Sequence, residues 1–292
     1  MHKFLRSIGF SDITQSELDQ MIRDIVAYPQ LIRVTRDSED NEFAELSKEF
    51  APNMGICVRG VYEEDDQFRL SYYYPFFIGT NETTQEHIDV EKHAEKESYA
   101  GVCDDVRLGV TLIFYLQNVA DYLAHNYRNG NASYHGAVLS ALASEGKILL
   151  PIEKKEQIFT KNTYRRERTD RSKLIAQARE GDQDAIDSLT MEDMDMCSLL
   201  SRRVLHEDIL SIVRSTFMPY GIESDQYAVL GEILDYTVET NRHTDEKIYC
   251  LRIDCNEMIF DICINQKNLM GCPEIGRRFK GNIWMQGSLC LQ

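Results

Sequence analysis

The chain has 292 residues, 43% hydrophobic and 27% charged, a globular mix that excludes wholesale disorder. Its formal net charge of −16 opposes phosphate backbones and anionic bilayers, which disfavours nucleic acid and membrane surfaces as partners. The longest apolar run, Val110 to Leu116, is too short to span a bilayer, and the opening MHKFLRSIGF lacks the unbroken hydrophobic stretch of a secretory signal; a cytoplasmic protein is expected.

The length exceeds that of a usual single core, so two domains are expected. The eight cysteines, scattered without a CxxC pair and often alternating with apolar residues, read as reduced structural thiols.

In chain order, Ser16 to Asp19 resembles a capping box, and Leu18, Met21, Ile22, Ile25 and Val26 share the stripe of a first helix. Ile32 and Val34 alternate with polar residues as in a strand. Gly55 to Tyr62 and Gln67 to Tyr74 read as a hairpin around Glu63 to Asp66. A second hairpin is expected from His87 to His93 and Ser98 to Val102. Asp104 and Asp105 then precede Leu108, Leu112, Tyr115, Leu116, Val119 and Leu123, whose three-four spacing predicts one long helix. Ala137 to Leu142 and Lys147 to Ile152 read as two short strands turned at Glu145 and Gly146.

From Glu153 the character becomes charged and helical, with a basic block to Arg179, an acidic block to Asp195, and helices expected at Ser172 to Arg179, Asp182 to Leu189 and Met191 to Leu205. Strands return at Tyr227 to Thr240, Lys247 to Asp254 and Met258 to Asn265. The glycines at 276, 281 and 287 suit the bends of a small barrel of OB or similar type. The expected class is therefore α+β: an antiparallel sheet with packed helices over 1–153, a charged helical connector over 154–224, and a β-barrel-like domain over 225–292.

Four phrases carry a resemblance: MHKFLRSIGF, GDQDAIDSLTMEDMDM, STFMPYGIESDQYAVLGEI and FKGNIWMQG. With them, essentially the whole chain resembles an uncharacterised Firmicutes-type bacterial family known as a domain of unknown function. The resemblance implies a bacterial cytoplasmic origin and brings no activity, cofactor or catalytic residue.

The chemistry must therefore come from the residues. On a strand, His87, Asp89, Glu91 and His93 share one face and form a metal-ligand vocabulary, with Asp121 and His125 as candidates for a further ligand; a solvated strand face is the plain alternative. Cys103 with His135 is a possible thiol and base pair. Arg165, Arg166, Arg168 and Arg171 could hold phosphate or RNA, or pair with neighbouring acids. Tyr73, in the aromatic run Tyr72 to Phe77, is a candidate binding residue expected on the strand face opposite Phe68 and Leu70. No GxSxG, P-loop, GxGxxG or HExxH occurs. The leading expectation is a non-enzymatic binding or protein-interaction protein without a cofactor; a metal-assisted or thiol enzyme, or nucleotide or RNA binding through the arginines, are the alternatives.

Overall fold

The computed structural model describes residues 1–64, 67–92, 98–105, 107–130, 133–152, 181–191 and 209–291, together with 174, 177, 178 and 194. The described residues form fourteen strands in two sheets, so the expected α+β class is corrected to a mostly β fold. Two compact units are distinguished: residues 1–150 with 215–292, and residues 151–214. Within the second, residues 183–191 are helical and Ile209–Ile212 form one further turn. Most of the expected connector, including the whole basic block around Arg165 to Arg171, lies outside the described residues.

The first sheet is an antiparallel meander of β1 (Leu31–Arg36), β2 (Glu42–Ala51), β3 (Met54–Tyr62) and β4 (Phe68–Phe77). The hairpin read at 55–74 is β3 and β4. Helix α1 (Gln15–Ala27) covers one face, burying Leu18, Met21, Ile22 and Ile25 in the cluster that holds Ala44, Leu46 and Val58. Its capping box lies two residues earlier than expected: Thr14 is the N-cap and Glu17 returns the bond to its backbone. Thr14 wins because its side chain faces the Glu17 amide at the point where the extended backbone turns helical.

The second sheet contains ten strands: β5 (Thr84–Lys92), β6 (Tyr99–Cys103), β7 (Leu112–Leu116), β8 (Tyr134–Leu149), β9 (Thr216–Pro219), β10 (Gln226–Thr240), β11 (Lys247–Cys255), β12 (Met258–Asn265), β13 (Leu269–Met270) and β14 (Arg278–Leu289). Its pairings close twice. β8, β12, β11, β10 and β14 form one ring of five; β8, β5, β6, β7 and β14 form another. The antiparallel β8–β14 pair, in register from Leu149 opposite Arg278 to Ala137 opposite Leu289, is common to both. There is thus no self-contained C-terminal barrel of OB type, because β8 from the N-terminal half is one of its walls.

Each ring is filled by side chains. In the first, Leu251, Ile253, Phe260, Ile262, Phe279 and Ile283 point inward; in the second, Leu112, Phe114, Leu116, Leu139 and Met285 do. This explains the largest local correction. The expected long helix breaks into β7 and helix α2 (Val119–Asn129), since Leu112, Phe114 and Leu116 are needed at a two-residue period on the inner face. Asp105, expected as a helix cap, instead holds Arg107 and Thr84. Likewise β8 continues through Glu145 and Gly146 as one strand, with a register irregularity at Ser144, and Gly146 leaves the space that the Phe279 ring fills.

The polar faces of β11 and β12 are not left to water. The six-residue 3₁₀ turn Lys3–Ile8 inserts Phe4, Leu5 and Ile8 against Leu142, Ile248 and Cys263. Asn265 and Asn241 donate to the Arg6 and Ile8 carbonyls, and Ser7 donates to the Ala143 carbonyl at 2.8 Å. Backbone groups that end this turn are satisfied by side chains from strands distant in sequence.

Candidate functional site

Strand β5 places His87, Asp89 and Glu91 as expected on its exposed face; His93 lies outside the described residues. The register brings His87 directly opposite His135 on β8, with ring centroids 5.3 Å apart. Ser133 Oγ is 3.1 Å from His87 Nδ1 and 3.3 Å from His135 Nε2, and Asp89 Oδ1 is 3.2 Å from His87 Nε2. Asp121 turns instead to Arg33 at 3.3 Å, and His125 packs on the Tyr134 ring. Among the described residues no three His, Cys, Asp or Glu side chains are arranged to hold a metal ion.

Cys103 is buried, and burial together with Asp105 pushes its thiol up to about 11. His135 is engaged with Ser133 and His87, so the structure does not assemble the thiol and base pair. Four further thiols are likewise suppressed: burial pushes Cys57, Cys250 and Cys255 up to about 12 and raises Cys263 as well. Cys57, Cys255 and Cys263 are core side chains and Cys250 packs against the core, so the thiolate needed for nucleophilic chemistry is suppressed.

Tyr73 is half-buried, and it shares a strand face with Phe68 and Leu70 rather than opposing them. The cause is a bulge: Arg59 pairs with Tyr72 but Gly60 pairs with Leu70, so Ser71 is left over and the alternation reverses. The Tyr73 hydroxyl accepts the His2 backbone N–H at 3.1 Å. It thereby anchors the wall of a cleft of about 490 Å³, lined by Met1, His2, Lys3, Phe4, Glu223, Asp225, Gln226 and Trp284.

Beneath the cleft lie two aromatic rings that are themselves buried, Phe4 and Trp284. Phe4 stacks on Trp284 at 5.5 Å between centroids, and His2 lies 4.8 Å from the same indole. Burial, with help from Lys3, lowers the His2 imidazole to about 4, so this ring is uncharged at neutral pH while the positive charge of Lys3 stands beside it. Polar groups are fixed around it: Trp284 Nε1 donates to Asp225 at 2.7 Å, and Lys3 Nζ donates to Gln226 at 2.6 Å. Sequence reasoning missed Trp284 and the first turn as site elements. The chain's sole tryptophan was the available signal.

Arg59 was missed for a different reason: it is a fully buried arginine in a strand. Its guanidinium donates to the hydroxyls of Tyr72, Tyr74 and Tyr115 and to the carbonyls of Leu116 and Gln117, and it meets Glu45 at 2.6 Å. Gln117 in turn donates to Gln286 and the Phe77 carbonyl. This network joins the two sheets. Solvent reaches neither charge, so its role is architectural.

No curated protein and no solved structure matches the chain. A family model does match, over residues 5–287, and the chain belongs to that family, described as "Domain of unknown function, E. rectale Gene description (DUF3881)".

Proposed function

We propose that this is a non-enzymatic binding protein of the bacterial cytoplasm, and that it takes its ligand in the cleft floored by Phe4 and Trp284. The observation that carries the reading is the pairing of a stacked aromatic floor with polar groups already fixed by hydrogen bonds, in a cleft of about 490 Å³. Glu223 and Asp225 at this cleft, offset only in part by Lys3, together with the net charge of −16, favour a neutral or cationic ligand, free or presented by a partner protein, over a nucleotide. The free thiols Cys57, Cys103, Cys255 and Cys263, all buried, support a reducing compartment. No helix among the described residues is long and apolar enough to cross a membrane.

Trp284 provides its own reporter, because its emission is the only indole signal of the chain. Titration with polyamines, basic and neutral peptides, nucleotides and common cofactors should change that emission and raise the melting temperature for one class. Asp225→Asn should weaken the response to a cationic ligand. A class that raises the melting temperature while leaving Trp284 emission unchanged would place binding elsewhere, and a flat screen by both readouts would remove the cleft reading.

A further inference from the structure

We propose that His87 and His135 form a surface site for one divalent transition-metal ion such as Zn²⁺, with Asp89 positioning the His87 imidazole. The argument begins with protons. A carboxylate only accepts hydrogen bonds, so in the neutral imidazole the 3.2 Å contact with Asp89 places the proton of His87 on Nε2 and leaves a lone pair on Nδ1. That lone pair points at Ser133 Oγ, 3.1 Å away, and His135 Nε2 lies 3.3 Å from the same oxygen. Two imidazole nitrogens on neighbouring strands therefore converge on one point.

Around a tetrahedral zinc with bonds of about 2.0–2.1 Å, two ligand nitrogens stand about 3.3 Å apart. The ring centroids are 5.3 Å apart and tilted by 55°, and each nitrogen lies within 3.3 Å of the same Ser133 oxygen, a spacing compatible with that arrangement. The backbone is preset, since His87 and His135 are a direct cross-strand pair in the β5–β8 ladder. The carboxylate behind one imidazole is the arrangement that orients metal-bound histidines and raises their basicity. Two protein ligands leave the remaining positions to water or to Ser133, so the site is open and exchangeable. Imidazole donors favour zinc, copper, nickel or cobalt over magnesium or calcium.

The same three residues also read as a serine, histidine and aspartate chain. Asp89 is 74% exposed in its side chain and His87 50%, and that wet setting denies Ser133 the shielded base a nucleophile requires. The metal reading uses exposure rather than suffering from it.

The test is calorimetric titration of the tag-free, chelator-stripped full chain with Zn²⁺, paired with the visible absorption of a Co²⁺ titration. One equivalent should bind, His87→Ala and His135→Ala should each weaken binding by at least about 10-fold, and Asp89→Asn by about 10-fold. His125→Ala, on α2 against Tyr134, should bind as wild type does. Melting curves in chelator check the fold of each variant, and His87→Gln replaces any alanine variant that fails. A wild type that takes up neither metal, or binding undiminished when either histidine is removed, overturns the proposal.

Discussion

Arg59 and Glu45, both inaccessible to solvent, meet at 2.6 Å between the two sheets. Their relationship is unequal. Arg59 reaches three tyrosine hydroxyls and two carbonyls, whereas burial pushes the Glu45 carboxyl up and the attraction of Arg59 offsets only part of that. Glu45 Oε1 and Arg59 Nε have no hydrogen-bond partner among the described residues, so the contact is an ion contact with imperfect alignment. Arg59→Met should therefore be the costlier change. It strands two buried carbonyls and the Glu45 charge, and should lower unfolding free energy by about 3–5 kcal/mol. Glu45→Gln keeps the shape and should cost less. Urea unfolding of the two variants checks the order.

Phe114 fills the second ring because its two strand neighbours lack side chains. A Cβ at Gly101 would lie 2.2 Å from the Phe114 ring, and one at Gly287 would lie 2.7 Å from it. Gly101→Ala should destabilise by about 1–3 kcal/mol through overpacking. Phe114→Leu alone should also destabilise, by leaving a void. Combined with Gly101→Ala it should recover part of the loss, because the smaller side chain makes room for the new methyl. A double-mutant cycle in denaturant reads this directly, and strict additivity would show that the two residues do not share the space.

The thiols give a third expectation. With Cys57, Cys250 and Cys255 raised to about 12, their thiolate fraction at pH 8 is roughly one in ten thousand. Cys272 is exposed. A disulfide reagent at pH 8 should label Cys272 rapidly in the native chain, and should reach Cys57, Cys255 and Cys263 only on unfolding. Peptide mapping by mass spectrometry distinguishes these sites; fast native labelling of Cys255 would contradict the bonds its Sγ makes to the Thr216 and Leu230 carbonyls.

Several strands were legible because their sequence obeys one rule at a time. β11 and β12 alternate and end at polar turns, so their ranges follow from period and punctuation, and the β3–β4 hairpin was marked by its polar turn although the bulge at Ser71 reverses the alternation within β4. β7 was hidden because Leu112, Leu116, Val119 and Leu123 keep helical spacing across the join between a strand and a helix. β2, reading EFAELSKEFA, is built of good helix formers; it is a strand because β1 and β3 flank it. The site shows the same division. His87 and Asp89 lie two apart on one strand and could be read together, whereas His135 joins them only through the β5–β8 ladder. Arg59 and Glu45 resemble solvated strand residues until the second sheet covers them.

His2 makes the first turn sensitive to acid. Its imidazole is held at about 4 in the folded chain, against about 6.5 when unfolded, because burial and Lys3 disfavour the charged form. Between those values the unfolded chain binds more protons than the folded one, so stability falls as pH drops from about 6.5 toward 4 and levels off below. The imidazole is partly exposed, which limits this contribution to about 1–3 kcal/mol. His2→Phe keeps a ring against Trp284 and removes the titrating group. Its melting temperature should decline less than that of wild type between pH 6.5 and 4, with Trp284 emission following the same difference. Equal slopes for the two proteins would mean that the loss of stability in acid arises from other groups.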